Sequence, residues 1–394
     1  MTMAAPEPSA SIKQRPLHST TFAKAAAWRV QRHHLDRLAP AGAMLAVASR
    51  ICGLHAQVLS TAELALWARV EDLPRGWVTR ALWEERTLVK TWAMRGTLHL
   101  LPTSELPEWH AALGTSKRYR SALGWQNFLG ISLEELDRLT RAIGTALDGR
   151  ILTREELLAE VGRLMGSKAL AKKMALTSWG TVFKPAAFAG NLCFAPSLSQ
   201  RVRFTHPATW LGAAPARVDP QAASLAIVGR YLAAYGPATD HDLSRWWGGA
   251  SMKTVRGWIA ALGRNAAPVD LEGTRAWMLA AHARELRDLT PKRSVRLLPA
   301  FDHYVVAASR HAVHLLPDGL RGRVYRPQGW ISPVLLVNGL IQGTWRHEVK
   351  GNRVEVTIEP FGKPPGWLRR NAAEEAERLA AFLGGQLDLA IGAK

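Results

Sequence analysis

The 394-residue sequence lacks several features, and each absence excludes a class of protein. It has no run of about 18 apolar residues free of charge, which a membrane-spanning helix requires. Residues 1–22 contain Pro, Ser and charged residues but no apolar core, which predicts a disordered tail instead of a signal peptide. Only two cysteines occur, Cys52 and Cys193, both in apolar surroundings, which indicates core packing in a reducing compartment. We therefore expect a cytoplasmic protein without a membrane partner.

Familiar catalytic and cofactor motifs are missing as well. The segment GGASMKT lacks the glycine that precedes the lysine of a phosphate loop, no glycine fingerprint follows a strand, and Cys-x-x-Cys and His-Glu-x-x-His are absent. Asp302, His303, His311 and His314 imitate a metal cluster, but their spacing is loose, and surface histidines near basic residues are the simpler alternative. The sequence predicts neither a cofactor nor a metal site.

Acidic residues are few compared with basic ones. The chain has 32 Asp and Glu against 51 Lys and Arg, so its formal net charge is +19. A net positive charge of this size raises the local concentration of polyanions, of which nucleic acid is the commonest. The alternatives are an anionic membrane surface as the partner, or a basic composition shared by the whole proteome. With 47% hydrophobic residues the chain is globular, and its length predicts about two to four domains. We expect a nucleoid-associated protein that binds double-stranded DNA as a monomer.

Four Ser/Thr-x-x-acid signals predict helix starts, because the hydroxyl caps an early backbone N–H and the acid lies in the first turn. They are Ser60/Glu63, Ser132/Glu135, Thr153/Glu156 and Thr239/Asp242.

Three of these signals, at 60, 153 and 239, begin the same succession of helices followed by two strand-like runs around a polar turn. Helix, helix, helix and β-hairpin is the order of a winged helix, and three units in register are stronger evidence than one. We predict an α+β fold with winged-helix units at 23–115, 130–207 and 219–280. Winged helices that bind protein instead of DNA are the alternative.

From residue 293 onwards the sequence consists of short runs rich in β-branched residues, which are separated by Asn-Gly, Lys-Gly-Asn and Pro-Gly turns. Asn338-Gly339 is the clearest hairpin signal. An amphipathic helix is predicted over 371–385. We expect a small antiparallel β-rich domain with a C-terminal helix over 293–394.

Four segments, CGLHAQVLSTAEL, LVKTWAMRGTLHLL, LLPAFDHYV and PVLLVNGLIQGTWR, give the chain a resemblance to a known family. They look like segments of the bacterial tandem winged-helix DNA glycosylases of the AlkZ type, which include YcaQ-like enzymes. The resemblance runs over about residues 25–385, nearly the whole chain. It implies a monofunctional glycosylase that excises alkylated purines, especially N7-alkylguanine, and in some members bulky antibiotic adducts or crosslinks.

The family carries a Gln-x-Gln or Gln-x-Asp catalytic triplet after the second helix of its first unit. Here the triplet is His55-Ala56-Gln57, so the last position matches and the first has become histidine. The resemblance therefore implies that Gln57 and His55 are catalytic. The side-chain carbonyl oxygen of Gln57 could accept a hydrogen bond from a water molecule and face the cationic sugar. Neutral His55 could orient that water or accept its proton. The alternatives are a helix-end histidine that caps carbonyls and a plain loop glutamine.

Further residues are candidates for the DNA surface. Arg95, Thr97 and His99 alternate along a predicted strand and would share one face near the triplet, or form an exposed hairpin face. Asp302 could anchor the β-rich domain to the first unit or form a structural ion pair. The tryptophans are most simply core, although Trp92 or Trp345 could stack on bases. The candidate phosphate contacts are Arg75, Lys90, Arg95, Lys253, Arg256 and Arg346.

Two other functions stay open. A transcriptional or architectural protein would use the basic surface alone, although three units in one chain favour a clamp around DNA. A degenerate glycosylase would bind lesions without cutting. The sequence leaves open which adduct is recognised and whether the base is flipped out of the duplex.

Overall fold

A computed structural model describes residues 19–177 and 180–392. Most of the tail predicted over 1–22 lies outside the described residues. The end of that prediction is wrong, because Ser19–Thr20 form a short strand, β1, and a helix begins at Phe22. Thr21 caps this helix by accepting a hydrogen bond from the backbone N–H of Lys24.

The first part of the chain has helices followed by a β-hairpin. The hairpin turn, Met94–Gly96, packs against a later helix and does not extend freely into solvent. The elements after β1 are α1 (Phe22–Arg32), α2 (Met44–Arg50), β2 (Leu54–His55), α3 (Leu59–Trp67), α4 (Trp77–Trp83), β3 (Leu88–Trp92), β4 (Leu98–Pro102), α5 (Leu106–Gly114) and α6 (Ala122–Leu129).

The second part repeats helices before a hairpin. Its strands form a three-stranded sheet in the order β5-β7-β6. The elements are α7 (Leu133–Leu147), β5 (Ile151–Thr153), α8 (Arg154–Leu164), α9 (Lys168–Leu176), α10 (Lys184–Phe188), β6 (Cys193–Leu198), β7 (Arg201–Thr205) and α11 (Pro207–Leu211).

The third part has three helices and a hairpin, on whose edge β1 pairs in parallel with the first hairpin strand. Strand β1 therefore pairs with a segment that lies about 250 residues further along the chain. The elements are α12 (Pro220–Tyr235), α13 (Asp240–Trp247), α14 (Met252–Leu262), β8 (Ala266–Leu271), β9 (Thr274–Leu279) and α15 (Ala283–Asp288).

The predicted helix starts are confirmed at three of four positions. Ser132, Thr153 and Thr239 each cap a helix and form a full capping box with the acid three residues on. The prediction at Ser60 is wrong, because α3 begins one residue earlier, at Leu59, and its cap residue is Val58 without a side-chain bond.

The C-terminal part is a five-stranded sheet in the order β10-β11-β12-β13-β14. It is mixed instead of antiparallel, and the helix is not its last element, because a final strand pairs in parallel with β13. A parallel partner needs a crossover, which α18 supplies. The elements are β10 (Val295–Leu298), α16 (His303–Ala307), α17 (Arg321–Val324), β11 (Val334–Val337), β12 (Leu340–Lys350), β13 (Arg353–Pro360), α18 (Gly366–Leu383) and β14 (Gln386–Ile391).

Two large hydrophobic cores join these parts. One contains residues of β3, the second part and α12–α14, and the other contains the first four helices and the C-terminal sheet. The first part therefore contacts all the others, and its short sheet lies where they meet. Among the residues that the structure describes, no helix has the length and apolar character needed to cross a bilayer.

Candidate active site

A sharp turn after α2 brings the triplet onto the first hairpin. Cys52 and Gly53 have φ values of 65° and 93°. A Cβ on Gly53 would lie 2.7 Å from Leu101 Cδ2 and 2.9 Å from the Leu100 carbonyl oxygen, so only glycine fits here. The following residues can then pair with β4 as the short strand β2.

A row of polar side chains crosses this three-stranded sheet. His55 of β2 is opposite His99 of β4, and His99 is opposite Thr91 of β3. Directly opposed residues share a face, so the three side chains lie together on one side of the sheet. All three are buried, and the rings of His55 and His99 are 5.5 Å apart in an edge contact. The sequence pattern does not predict the strand at 54–55, because two residues are too few to show the alternation typical of a strand.

Burial keeps these imidazoles neutral. Burial, with the nearby Arg95 guanidinium, lowers the pKa of His55 to about 3. Burial, Arg95 and His55 hold the pKa of His99 well below its usual range. A cation in a water-excluded cluster is penalised both by desolvation and by a neighbouring positive charge. His55 therefore carries no charge at any physiological pH.

The hairpin turn adds a half-buried cation beside this row. Arg95 adopts φ 59° within the turn and donates to the Trp246 carbonyl oxygen at 3.0 Å. Its other terminal nitrogen lies 3.4 Å from His99 Nε2. Because burial is the first cause, the pKa of Arg95 falls to about 10, and the guanidinium stays protonated.

The C-terminal part supplies the opposite wall of the cluster. Phe301 stacks on the His55 ring at 5.2 Å between ring centres, with an interplanar angle of 9°. His303 is 5.4 Å from His99 and 6.3 Å from His55 by the same measure. Its pKa also lies well below the usual range, first because of burial and then because of His99 and Arg95. The site is thus built by two distant segments of the chain.

An ion pair ties these segments together. Both carboxylate oxygens of Asp302 accept hydrogen bonds of 2.7 Å from Arg69, and both side chains are fully buried. Asp302 also caps α16 by accepting a bond from the Tyr304 N–H. The contact joins the β-rich part to the first part as the anchoring interpretation expects, and it is at the same time a structural ion pair.

Gln57 lies at the open end of this arrangement. The Ala56 N–H still bonds to the Leu98 carbonyl, which extends the pairing one residue beyond β2. Gln57 then lies exposed between β2 and α3. A buried neutral imidazole and an exposed amide therefore occur two residues apart, where the chain leaves β2 and bends toward α3.

Two tryptophans predicted to stack on bases are buried, so that prediction is wrong. Trp92 is 7% exposed and packs on Phe194 and Phe204 of the second part, and Trp345 is 3% exposed and donates to the Leu298 carbonyl, so neither ring is free to stack on a base.

The predicted face of Arg95, Thr97 and His99 is also wrong. Arg95 lies in the turn instead of a strand, and the Thr97 hydroxyl donates to the Met94 carbonyl. Only His99 belongs to β4. Lys90 projects from the opposite side of the sheet to His99, is half-buried over the Phe194 ring, and has a pKa lowered by burial.

The other predicted cations are exposed but differ in their partners. Arg75 donates to the Leu383 carbonyl at the end of α18. Arg256 pairs with Asp240, and Arg346 pairs with Glu359. Lys253 is exposed on α14, and among the described residues no carboxylate lies within 4.0 Å of it. The structure does not bring these four residues to the His55 cluster.

Three residues that the sequence interpretation missed stand out. Trp330 is 47% exposed, and its ring contacts Phe301 edge-on at 4.9 Å, one layer from His55. Lys168 and Lys172 are exposed on α9, which occupies the same place in the second part as α14 in the third. The segment KALAKKMAL, with lysines on the polar face of a helix, was the available signal. Nothing in the sequence near Trp330 distinguished it from a core tryptophan.

Metal ligation finds no support in the cluster. Within residues 19–177 and 180–392 no three His, Cys, Asp or Glu side chains are arranged to hold an ion. His311 accepts from Arg321, and His314 stacks on Phe22, so neither approaches His303 as a ligand set.

The chain is similar to known DNA glycosylases over most of its length. A sequence model described as DNA glycosylase AlkZ-like matches residues 48–382. A curated "Interstrand DNA cross-link repair glycosylase" from Streptomyces sahachiroi is 36% identical over 365 residues, which cover 91% of this chain and 95% of that protein. The solved structure of Streptomyces sahachiroi DNA glycosylase AlkZ superposes with a TM-score of 0.85 at 33% identity, covering 95% of this chain and 100% of that one.

These matches first define the class of protein, which is a DNA glycosylase. Because the family match spans most of the chain and includes the His55 cluster, the chain belongs to the AlkZ-like DNA glycosylase family. A purely regulatory or architectural role is therefore set aside.

Proposed function

We propose that this DNA repair enzyme hydrolyses the N-glycosidic bond of N7-alkylated guanine, including bulky or crosslinked adducts, with a water held by Gln57 and His55. The observation that carries the proposal is the neutral, stacked imidazole of His55 beside the exposed amide of Gln57. The name of the 36% identical relative, an interstrand cross-link repair glycosylase, supports the substrate class.

The chemistry fits a neutral site. N7-alkylation places a positive charge on guanine, so the base leaves as a neutral molecule and needs little acid catalysis. The developing oxocarbenium ion would be repelled by a protonated imidazole, and burial of His55 avoids this. Gln57 Oε1 accepts a hydrogen bond from the water and faces the cationic sugar. With a pKa of about 3, His55 acts as a hydrogen-bond acceptor that orients the water instead of a strong base.

We further propose that 23–115, 130–207 and 219–280 are winged-helix units and that 293–394 closes the site. In each of the three units helices precede a hairpin whose sheet gains a short third strand. We assign α9 and α14 as the helices that face DNA, because both expose lysines. Trp330 is suited to stack on a base at the entrance of the cluster. We propose that the enzyme acts as a monomer on double-stranded chromosomal DNA in the cytoplasm.

Single-turnover excision on duplexes with N7-methylguanine or a bulkier N7 adduct tests the catalytic assignment. Gln57→Ala is expected to slow base release by about 10²-fold or more, because one electrostatic contribution is lost. DNA affinity should stay unchanged, since glutamine carries no charge. His55→Ala should slow release less, and His55→Gln should keep activity on simple N7-alkylpurines by restoring the family's usual triplet.

The matched control is Gln386→Ala, which removes an exposed glutamine from β14. It should excise at the wild-type rate. A Gln57→Ala variant as fast as wild type would remove Gln57 from the mechanism. A wild type that binds these duplexes but releases no base would instead identify a lesion binder.

A further inference from the structure

The hydrogen bonds around His303 determine which of its nitrogens carries the proton. Tyr235 donates its single hydroxyl proton to the Ile51 carbonyl oxygen at 2.8 Å, since a carbonyl cannot donate in return. The Tyr235 oxygen lies 3.3 Å from His303 Nδ1. It can therefore only accept there, so His303 is the Nδ1–H tautomer and its Nε2 is a lone-pair acceptor on the far side of the ring.

That acceptor faces no protein partner among the described residues. His303 Nε2 and His55 Nδ1 are both buried without a hydrogen bond, and their rings lie 6.3 Å apart between centres. Buried polar atoms are almost always satisfied, by protein or by ordered water. One water molecule can satisfy both by accepting from His55 Nδ1–H and donating to His303 Nε2.

We propose that His303 is a positioning residue for His55 and that Tyr235 selects the tautomer of His303. In the proposed arrangement the bridging water donates one proton to His303 Nε2 and its oxygen accepts from His55 Nδ1–H, which leaves His55 Nε2 as the acceptor for the reacting water. Phe301 holds the plane of the same ring by stacking. The inference rests on the proposed role of His55.

His99 shows why His303 and not its neighbour has this role. His99 Nδ1 donates to the Thr97 carbonyl at 2.9 Å, and Arg95 lies 3.4 Å from its Nε2. Both nitrogens of His99 are thus occupied by the hairpin itself. The lone pair of His303 is the one left to act on His55.

Tyr235→Phe tests the selection step. Without the hydroxyl, His303 loses the acceptor for Nδ1–H, and its two tautomers should become mixed in the ¹⁵N spectrum of the histidine-labelled, DNA-free protein. The single-turnover excision rate constant should fall by about 10-fold, while the dissociation constant for DNA stays unchanged. The matched control is Tyr231→Phe, because Tyr231 is equally buried and stacks on Tyr235 at 5.3 Å. It should change neither the tautomer nor the rate constant.

Two substitutions at position 303 test the lone pair directly. His303→Gln keeps an acceptor oxygen and should retain most of the excision rate, whereas His303→Leu should lose it at unchanged DNA affinity. The inference is overturned if folded His303→Leu excises at the wild-type rate, or if Tyr235→Phe leaves the His303 tautomer unchanged. Should Gln57→Ala prove fully active while Tyr235→Phe shifts both tautomer and rate, the proposed role of Gln57 fails and the positioning role stands.

Discussion

Lowering the pH from 8 to 5 is expected to reduce the free energy of unfolding of this enzyme while its excision rate constant stays unchanged. His33, His55, His99 and His303 are buried, and burial is the first cause of the lowered pKa of each. The unfolded chain, with histidine pKa values near 6.5, therefore binds more protons than the folded chain below that pH. The contribution of these four residues to the free energy of unfolding is therefore unchanged above pH 6.5, and it destabilises the folded chain increasingly as the pH drops below that value.

The magnitude follows from proton linkage. Each buried histidine that stays neutral while its unfolded counterpart is protonated removes about 1.4 kcal/mol per pH unit. Together these four residues contribute about 5 kcal/mol per pH unit below pH 6. Urea unfolding between pH 5 and 8 measures this slope. A free energy of unfolding that stays constant from pH 7 to 5 would contradict the buried, neutral state of these histidines.

The excision rate constant per folded molecule should behave differently. With a pKa of about 3, His55 is about 1% protonated at pH 5, so the rate constant should stay flat from pH 8 to 5. An ordinary pKa of 6.5 would instead lower it by about 30-fold at pH 5. The groups that face His55 are Arg95, which stays charged, and His99 and His303, which stay neutral.

The assay is single-turnover base release at saturating enzyme, corrected for the folded fraction from circular dichroism and for spontaneous depurination. His55→Gln is the control, because it has no titrating group at this position. A wild-type rate constant that falls about 10-fold or more from pH 7 to 5, while that of His55→Gln stays flat, would show that His55 titrates near its ordinary pKa and would refute the buried, neutral state of this imidazole.

Two further predictions concern the anchor and the DNA surface. Asp302→Asn should lower the free energy of unfolding by about 3–5 kcal/mol in urea titration, because it leaves Arg69 buried without its counter-charge. Asp137→Asn, which breaks the exposed pair with Arg120, should change it by less than about 1 kcal/mol, and equal effects would contradict the anchoring role. Replacing Lys168, Lys172 or Lys253 by alanine should each reduce the slope of log affinity for duplex DNA against log salt by about 0.9, measured by fluorescence anisotropy. Lys350→Ala, whose lysine is already paired with Glu348 and Glu355, should leave that slope unchanged, and equal slopes for all four variants would refute the assignment of α9 and α14.

Much of the organisation could be predicted because it depends on local signals. The three capping boxes, the hairpins at 88–102 and 266–279 and the turn at Asn338-Gly339 each arise from residues close in sequence. The mixed α+β class and the position of the triplet after α2 follow from the same local order. Net charge, a property of composition alone, pointed to a polyanionic partner.

Tertiary structure decided what these residues do. Arg95 and Trp92 carry the same sequence signals as exposed residues. Only the docking of the first hairpin on α13 and β6 buries Trp92 and covers part of Arg95. His303 lies about 250 residues from His55, so no local pattern could place its ring beside the triplet or reveal the tautomer that Tyr235 imposes. The pKa of His55 likewise depends on how completely Phe301 and its neighbours exclude water. The sequence by itself determined the elements and the residue types available for catalysis, whereas desolvation and long-range packing, which no short segment encodes, decided their charge and their partners.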